Sequence, residues 1–216
     1  GRLLGGFYAT ALVIGCFGIG NMFQSNQAYV QFLVISGGEA SFFAERGWLF
    51  GLLIAAAVAL VIIGGIRSIA LVASRIVPLM AVLYVVSALV IIALSAAQIP
   101  AAIQLIVSSA FSMSSVTGGM VGAIVVGFQR ALFSNEAGIG SASIAHSAVQ
   151  TNEPASEGLV GLLEPFLDTV VICTLSSLVI VTVAYPNGLH EQGYEGIALT
   201  SASFAHHISW APYPLS

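Results

Sequence analysis

Apolar residues run through the chain in long blocks that polar clusters interrupt, and the blocks are the length of membrane-crossing helices. Five segments follow from this pattern: 3–33, 47–65, 69–93, a broken segment at 118–133 and 141–150, and 158–185. The first exceeds the ~20 residues a span needs, so it is expected to tilt or to extend past the lipid. Pro78 sits near the start of the third, where its default role is a packing kink. The stretch 95–117 mixes Gln98, Pro100, Gln104 and a serine-rich run. It is expected as an external loop holding a short surface helix; the alternative is a span over 99–116, which would invert everything after it. The tail 186–216 is expected as an external loop.

The fourth segment carries the most information. Residues 118–150 are far too many for one straight crossing at about 1.5 Å per residue. Its middle, SNEAGIGS at 134–141, holds two glycines and several polar side chains that compete for backbone hydrogen bonds. Two half-helices joined by an unwound stretch are therefore expected. Such backbone is tolerated at membrane depth only inside protein or beside a water-filled cavity. Its free N–H groups attract a carboxylate, and its free carbonyls attract an ammonium or a sodium ion. One break thus offers something to both ends of an amino acid. The competing reading makes SNEAGIG a solvated loop between two spans. At membrane depth Glu136 needs a partner, and Arg130 is six residues earlier. The pair reads as a structural clamp, with Glu136 either clamp or site.

Polar residues mark two further places. Asn21, Gln24 and Ser25 share one helix face in the first segment, and Gln31 extends it. They are either interhelical glue or cavity lining. In the fifth segment Asp168 and Thr169 precede an apolar run, where they are either interfacial or oxygen ligands for a cation. His146 reads as a packed or interfacial residue, with a proton relay as the alternative. His206 and His207 in the tail have no partner at metal-ligand spacing.

Composition narrows the class. Of 216 residues 58% are hydrophobic and 6% charged, too few charges to cover a soluble fold of this size. Soluble enzymes, disordered chains, coiled coils and disulfide scaffolds are excluded. There is no lysine, and the net charge is −4, so no nucleic-acid partner is expected. Cys16 and Cys173 lie within apolar runs and are expected as buried small hydrophobes, not a disulfide. Arg67 and Arg75 flank the loop between the second and third segments, and Arg2 falls on the same side. Arg46 stands alone on the other, which puts the Arg67/Arg75 loop in the cytoplasm. No catalytic triad, CxxC, HExxH or Walker pattern is present. The chain starts on Gly1 and reads as an internal piece of a longer protein, with N- and C-terminal parts missing.

The residues GFQRALFSNEAGIGSASIAHSA at 127–148 closely resemble the hallmark of the bacterial sodium:alanine (alanine/glycine:cation) symporters. FGIGNMFQSN at 17–26, GGIRSI at 64–69, VPLMAVLY at 77–84 and FLDTVVICT at 166–174 resemble other segments of that family, in the same order. Ala131 and Ile139 depart from the commoner Gly and Leu. The resemblance implies an all-α polytopic membrane protein, part of a LeuT-type inverted-repeat fold, with the five segments as transmembrane helices 3 to 7. The discontinuous segment would be helix 6, which supports the loop reading of 95–117. It implies a substrate site at Phe133, Ser134, Asn135, Glu136, Gly138 and Gly140, with Gln24 facing the same pocket. Asp168 and Thr169 are weaker sodium candidates. The implied activity is sodium-coupled symport of small neutral amino acids, alanine and glycine, by alternating access in the bacterial inner membrane. No cofactor is implied beyond sodium as coupling ion. The alternatives are a proton-coupled amino-acid transporter on the same fold, using Glu136 or His146, and a non-functional truncated fragment.

Overall fold

The computed structural model describes residues 1–110, 124–125, 127–128, 141–194 and 196–208. Every regular element among them is helical. The chain forms two compact units, one of Gly1–Ser87 with Leu189–Ser216 and one of Ala88–Gly188.

The first unit opens with α1 (Arg2–Phe17), a π-helical turn at Gly18–Met22, and α2 (Phe23–Ile35). Together they make one apolar helix of 34 residues. At the α-helical rise that is about 50 Å, well beyond the ~30 Å hydrocarbon layer. Leu3, Phe7, Ile14 and Phe17 on α1 all point outward and are more than two-thirds exposed, as lipid-facing residues would be. Cys16, expected to be buried, lies on this exposed surface, and Cys173 is half-buried; the two form no disulfide. A cysteine facing lipid carries no desolvation penalty, so burial in protein is not required of it.

An aromatic cluster turns the chain from α2 into α3 (Gly47–Ile62). The Tyr29 hydroxyl donates to the carbonyls of Phe43 and Ala44 at 2.8 and 3.1 Å. Phe32 packs edge-on against Phe43 and tilted against Phe50, with ring centroids 5.1 and 5.0 Å apart. Arg46 caps the cluster, its guanidinium 4.4 Å from the Phe42 ring centroid. Gly47 lets the Tyr29 ring approach closely, because a Cβ would stand 3.0 Å from it and the Tyr29 side chain would have to shift.

Only Ile63 and Gly64 separate α3 from α4 (Gly65–Leu94), a 30-residue helix that continues past Pro78. The expected third segment starts at 69, with Arg67 before it; α4 instead starts at Gly65 and holds Arg67 as well as Arg75. The turn is that tight because Gly65 takes a left-handed φ of +69°. A Cβ on Gly64 would meet the Ser68 Cβ at 2.3 Å. Gly65→Ala is therefore expected to cost about 1 kcal/mol, seen as a lower melting temperature of the solubilised full-length protein. An unchanged melting temperature would mean the turn does not need the left-handed conformation.

The tail is more than a loop. After a short 3-10 turn it forms α9 (Gly196–His207), which packs on α2. Gln31 is 2% exposed there, and its Nε2 donates to the Ser201 Oγ at 2.9 Å. The Tyr84 ring of α4 stacks on Phe204 at 5.4 Å. Ser203 is fully buried, its hydroxyl donating to the Leu199 carbonyl at 2.7 Å. Hydroxyls that bond within their own helix can be buried without a partner elsewhere.

The second unit contains the end of α4, α5 (Ile99–Ala110), α6 (Ala142–His146), and the 31 helical residues Pro154–Ala184. These 31 run as α7 (Pro154–Pro165), a π segment at Phe166–Cys173, α8 (Thr174–Val179) and a second π segment at Ile180–Ala184. α5 packs on Ile180–Ala184. The buried positions are small or branched: Ala88, Ile91, Ala102, Val179, Val183 and Ala184. Close approach of helices through small residues is the way association works in lipid, where burial of large apolar groups gains little. Of the expected second half-helix at 141–150, the regular part is α6 alone; turns follow from Ser147. Three helices among the described residues are long and apolar enough to cross a membrane: Arg2–Ile35, Gly65–Leu94 and Pro154–Ala184.

Candidate substrate and cation site

The polar face of the first helix does not act as one surface. Asn21 lies in the π turn and Ser25 one turn later, and the Ser25 hydroxyl donates to Asn21 Oδ1 at 3.4 Å. Both line a cavity of about 740 Å³ between α2 and α3, with Asn26 and Tyr29 on the same wall. The opposite wall is α3, whose Gly47, Gly51, Ala55 and Ala59 recur every fourth residue. Gln24 is exposed in the first turn of α2 and does not line this cavity. Gln31 belongs to the contact with α9 and not to an open face.

Asp168 and Thr169 sit side by side in the π segment Phe166–Cys173, Asp168 half-buried and Thr169 exposed. A π turn widens the helix and weakens its regular i→i−4 ladder, and such turns recur at functional positions. Both π segments that contain motif residues, GIGNM and FLDTVVIC, fall where candidate residues had been singled out by chemistry alone. Gln24 belongs to the first compact unit, and Asp168 and Thr169 to the second. Arg130, Phe133, Ser134, Asn135, Glu136, Gly138 and Gly140 lie outside the described residues. Among the described residues no three His, Cys, Asp or Glu side chains cluster to hold a metal ion.

Of the singled-out residues in and just after the SNEAGIG stretch, His146 is the one among the described residues. It ends α6, and its Nδ1 hydrogen-bonds the Glu157 carboxylate in the first turn of α7. Glu157 was not a sequence candidate. The Pro154 start of its helix, with Glu three residues on, was the available signal. In the tail, burial, and then the neighbouring His206, hold His207 below the ordinary imidazole range. The two rings meet edge to face at 5.0 Å.

Comparison with known proteins agrees with this arrangement of apolar helices. Residues 1–216 match the model of the sodium:alanine symporter family. Sodium/alanine symporter AgcS of Methanococcus maripaludis is 41% identical over 208 residues, covering 94% of this chain and 44% of that protein. Probable sodium/glutamine symporter GlnT of Bacillus subtilis is 36% identical over 212 residues, covering 97% and 42%. Putative sodium/proton-dependent alanine carrier protein YrbD of Bacillus subtilis is 33% identical over 176 residues, covering 81% and 35%. The chain thus spans less than half the length of these relatives. The family consists of transporters, not enzymes, and three apolar helices of spanning length make this a multi-pass membrane protein. By the match along its whole length, and by its identity to AgcS, the chain belongs to the sodium:alanine symporter family.

Proposed function

We propose that the chain is the central part of a sodium-coupled symporter that takes up small neutral amino acids, alanine and glycine, across the bacterial inner membrane. The observation that carries this reading is the family match over the whole chain, with 41% identity to a protein named for sodium and alanine. Transport proceeds by alternating access on a LeuT-type inverted-repeat fold, in which 118–150 is the discontinuous helix. Phe133, Ser134, Asn135 and Glu136 contact the amino acid at the break, Gly138 and Gly140 let the backbone approach it, and Gln24 reaches the same pocket. Arg130 pairs with Glu136 and holds the break open. Sodium is co-transported cargo, and Asp168 with Thr169 offers it carboxylate and hydroxyl oxygens, the hard ligands such a cation takes.

The test is uptake of labelled L-alanine into vesicles holding the full-length parent, with sodium or potassium outside. Uptake is expected to follow sodium, and sodium is expected to raise the affinity for alanine. Equal rates in both salts would overturn sodium coupling. A second reading has specific support, because YrbD is named for sodium and protons together. A pH gradient that drives uptake without sodium would favour it and direct attention to Glu136 and His146. Competition by glutamine against alanine decides substrate preference, since GlnT is named for glutamine.

A further inference from the structure

α6 has five residues. A helix that short does not persist alone, since nucleation is not recovered over so few hydrogen bonds. Something outside it has to fix its place, and the structure contains a candidate. The His146 imidazole at its C-terminal end hydrogen-bonds Glu157 through Nδ1. The two side chains are only 31% and 19% exposed. Glu157 lies in the first turn of α7, where free backbone N–H groups favour a carboxylate. The other edge of the imidazole lies over Gly161, whose absent Cβ would stand 3.7 Å from Nε2. A methyl group there would touch the ring at ordinary van der Waals distance.

The connector between the two helices is itself fixed. The Glu153 N–H donates to Thr151 Oγ1 at 3.1 Å, and the Ser156 hydroxyl donates to the Glu153 carbonyl at 2.7 Å. Pro154 then sets the first turn of α7. His146, Thr151, Pro154, Glu157 and Gly161 line one pocket of about 430 Å³. The two side chains therefore meet across a structured corner, and their contact does not depend on a long flexible loop.

We infer that His146 and Glu157 are a positioning pair: they tie the helix that follows the SNEAGIG stretch to the start of Pro154–Ala184, and so set the geometry of the substrate-binding backbone. This rests on the proposed role of residues 133–140, and it names residues that act through that stretch without touching the amino acid. A filler of space could be replaced by any side chain of similar size. A positioning pair requires the two groups together, and its loss shows in substrate affinity before turnover.

The experiment has two arms, both on the full-length protein. The first is hydrogen exchange at the amides of Ile144, Ser147, Ala148 and Val149, which bond within this corner. Glu157→Ala is expected to speed their exchange about tenfold, and Glu157→Gln, which still accepts a hydrogen bond, is expected to leave it near wild type. The second is sodium-driven alanine uptake. His146→Ala and Glu157→Ala are each expected to raise KM about tenfold with little change in maximal rate, and the double variant is expected to match either single. If Glu157→Ala does not accumulate, His146→Ala, which removes the other half of the bond, carries the same readouts. Unchanged exchange, or single effects that add in the double variant, would overturn the pairing. Faster exchange with unchanged KM would overturn the positioning role. A wild-type protein that takes up no alanine, with exchange still dependent on Glu157, would sink the transport reading and leave the pair in place.

Discussion

Asn135→Ala in the full-length protein is expected to weaken alanine binding roughly 10- to 100-fold while the protein still folds and inserts. The size follows from the chemistry of the ligand. A zwitterionic amino acid brings a carboxylate and an ammonium into a site from which water is excluded. Hydrogen bonds to charged groups there are worth about 1.5–3 kcal/mol each, and every 1.4 kcal/mol is about tenfold in affinity. Asn135 is the residue of the SNEAGIG stretch with a carboxamide, which offers two N–H donors and a carbonyl acceptor and carries no charge, so its removal subtracts hydrogen bonding without disturbing the charge balance. Calorimetric titration of the purified protein with alanine in sodium reads this directly. Wild-type affinity in the variant would remove Asn135 from the site.

A larger effect, on stability, is expected at Arg130. If it is the partner of Glu136 at membrane depth, Arg130→Ala leaves a carboxylate without compensation, at a cost of about 3–5 kcal/mol. Most single-domain stabilities are only about 5–15 kcal/mol, so the variant should accumulate poorly and melt early. Adding Glu136→Gln removes the stranded charge and is expected to recover much of the yield, although alanine uptake stays impaired. Folded yield and melting temperature of the two variants side by side are the measurements. An Arg130→Ala protein as stable as wild type would dissolve the proposed pair.

The sequence made the helical class legible because membrane-crossing segments need little beyond length and apolar content. Arg2–Ile35 and Pro154–Ala184 differ from the expected 3–33 and 158–185 only at their ends. The Ile63–Gly64 turn was harder. Segments bounded at 65 and 69 leave Arg67 between them, but a helix accepts arginine wherever the long side chain can reach water, and the punctuation is the Gly64–Gly65 pair. α9 was hidden for a different reason. Its residues, GIALTSASFAHH, are mostly small and polar, and they are buried through Ser203 and Phe204 against other helices, which hydropathy does not register. The π segments were illegible as such, because one turn of wider helix has no periodicity long enough to distinguish from 3.6. At the candidate site, motif chemistry singled out Asp168 and His146. Glu157 escaped because its importance comes from a corner that only the folded connector creates.

The bond between Gln31 and Ser201 joins residues 170 positions apart, and the whole of Ala88–Gly188 lies between them in the chain. On a ribosome the second unit must be synthesised while the first stands incomplete. At about 5–20 residues per second that interval is on the order of 5–20 s. Throughout it the Gln31 amide sits in a growing membrane protein without the hydroxyl that later receives it. The first unit is therefore a nascent-chain intermediate with an unmet polar group, and its wait is fixed by gene order. Water, lipid headgroups or insertion machinery can meet that amide until α9 emerges, so the first unit closes late in translation.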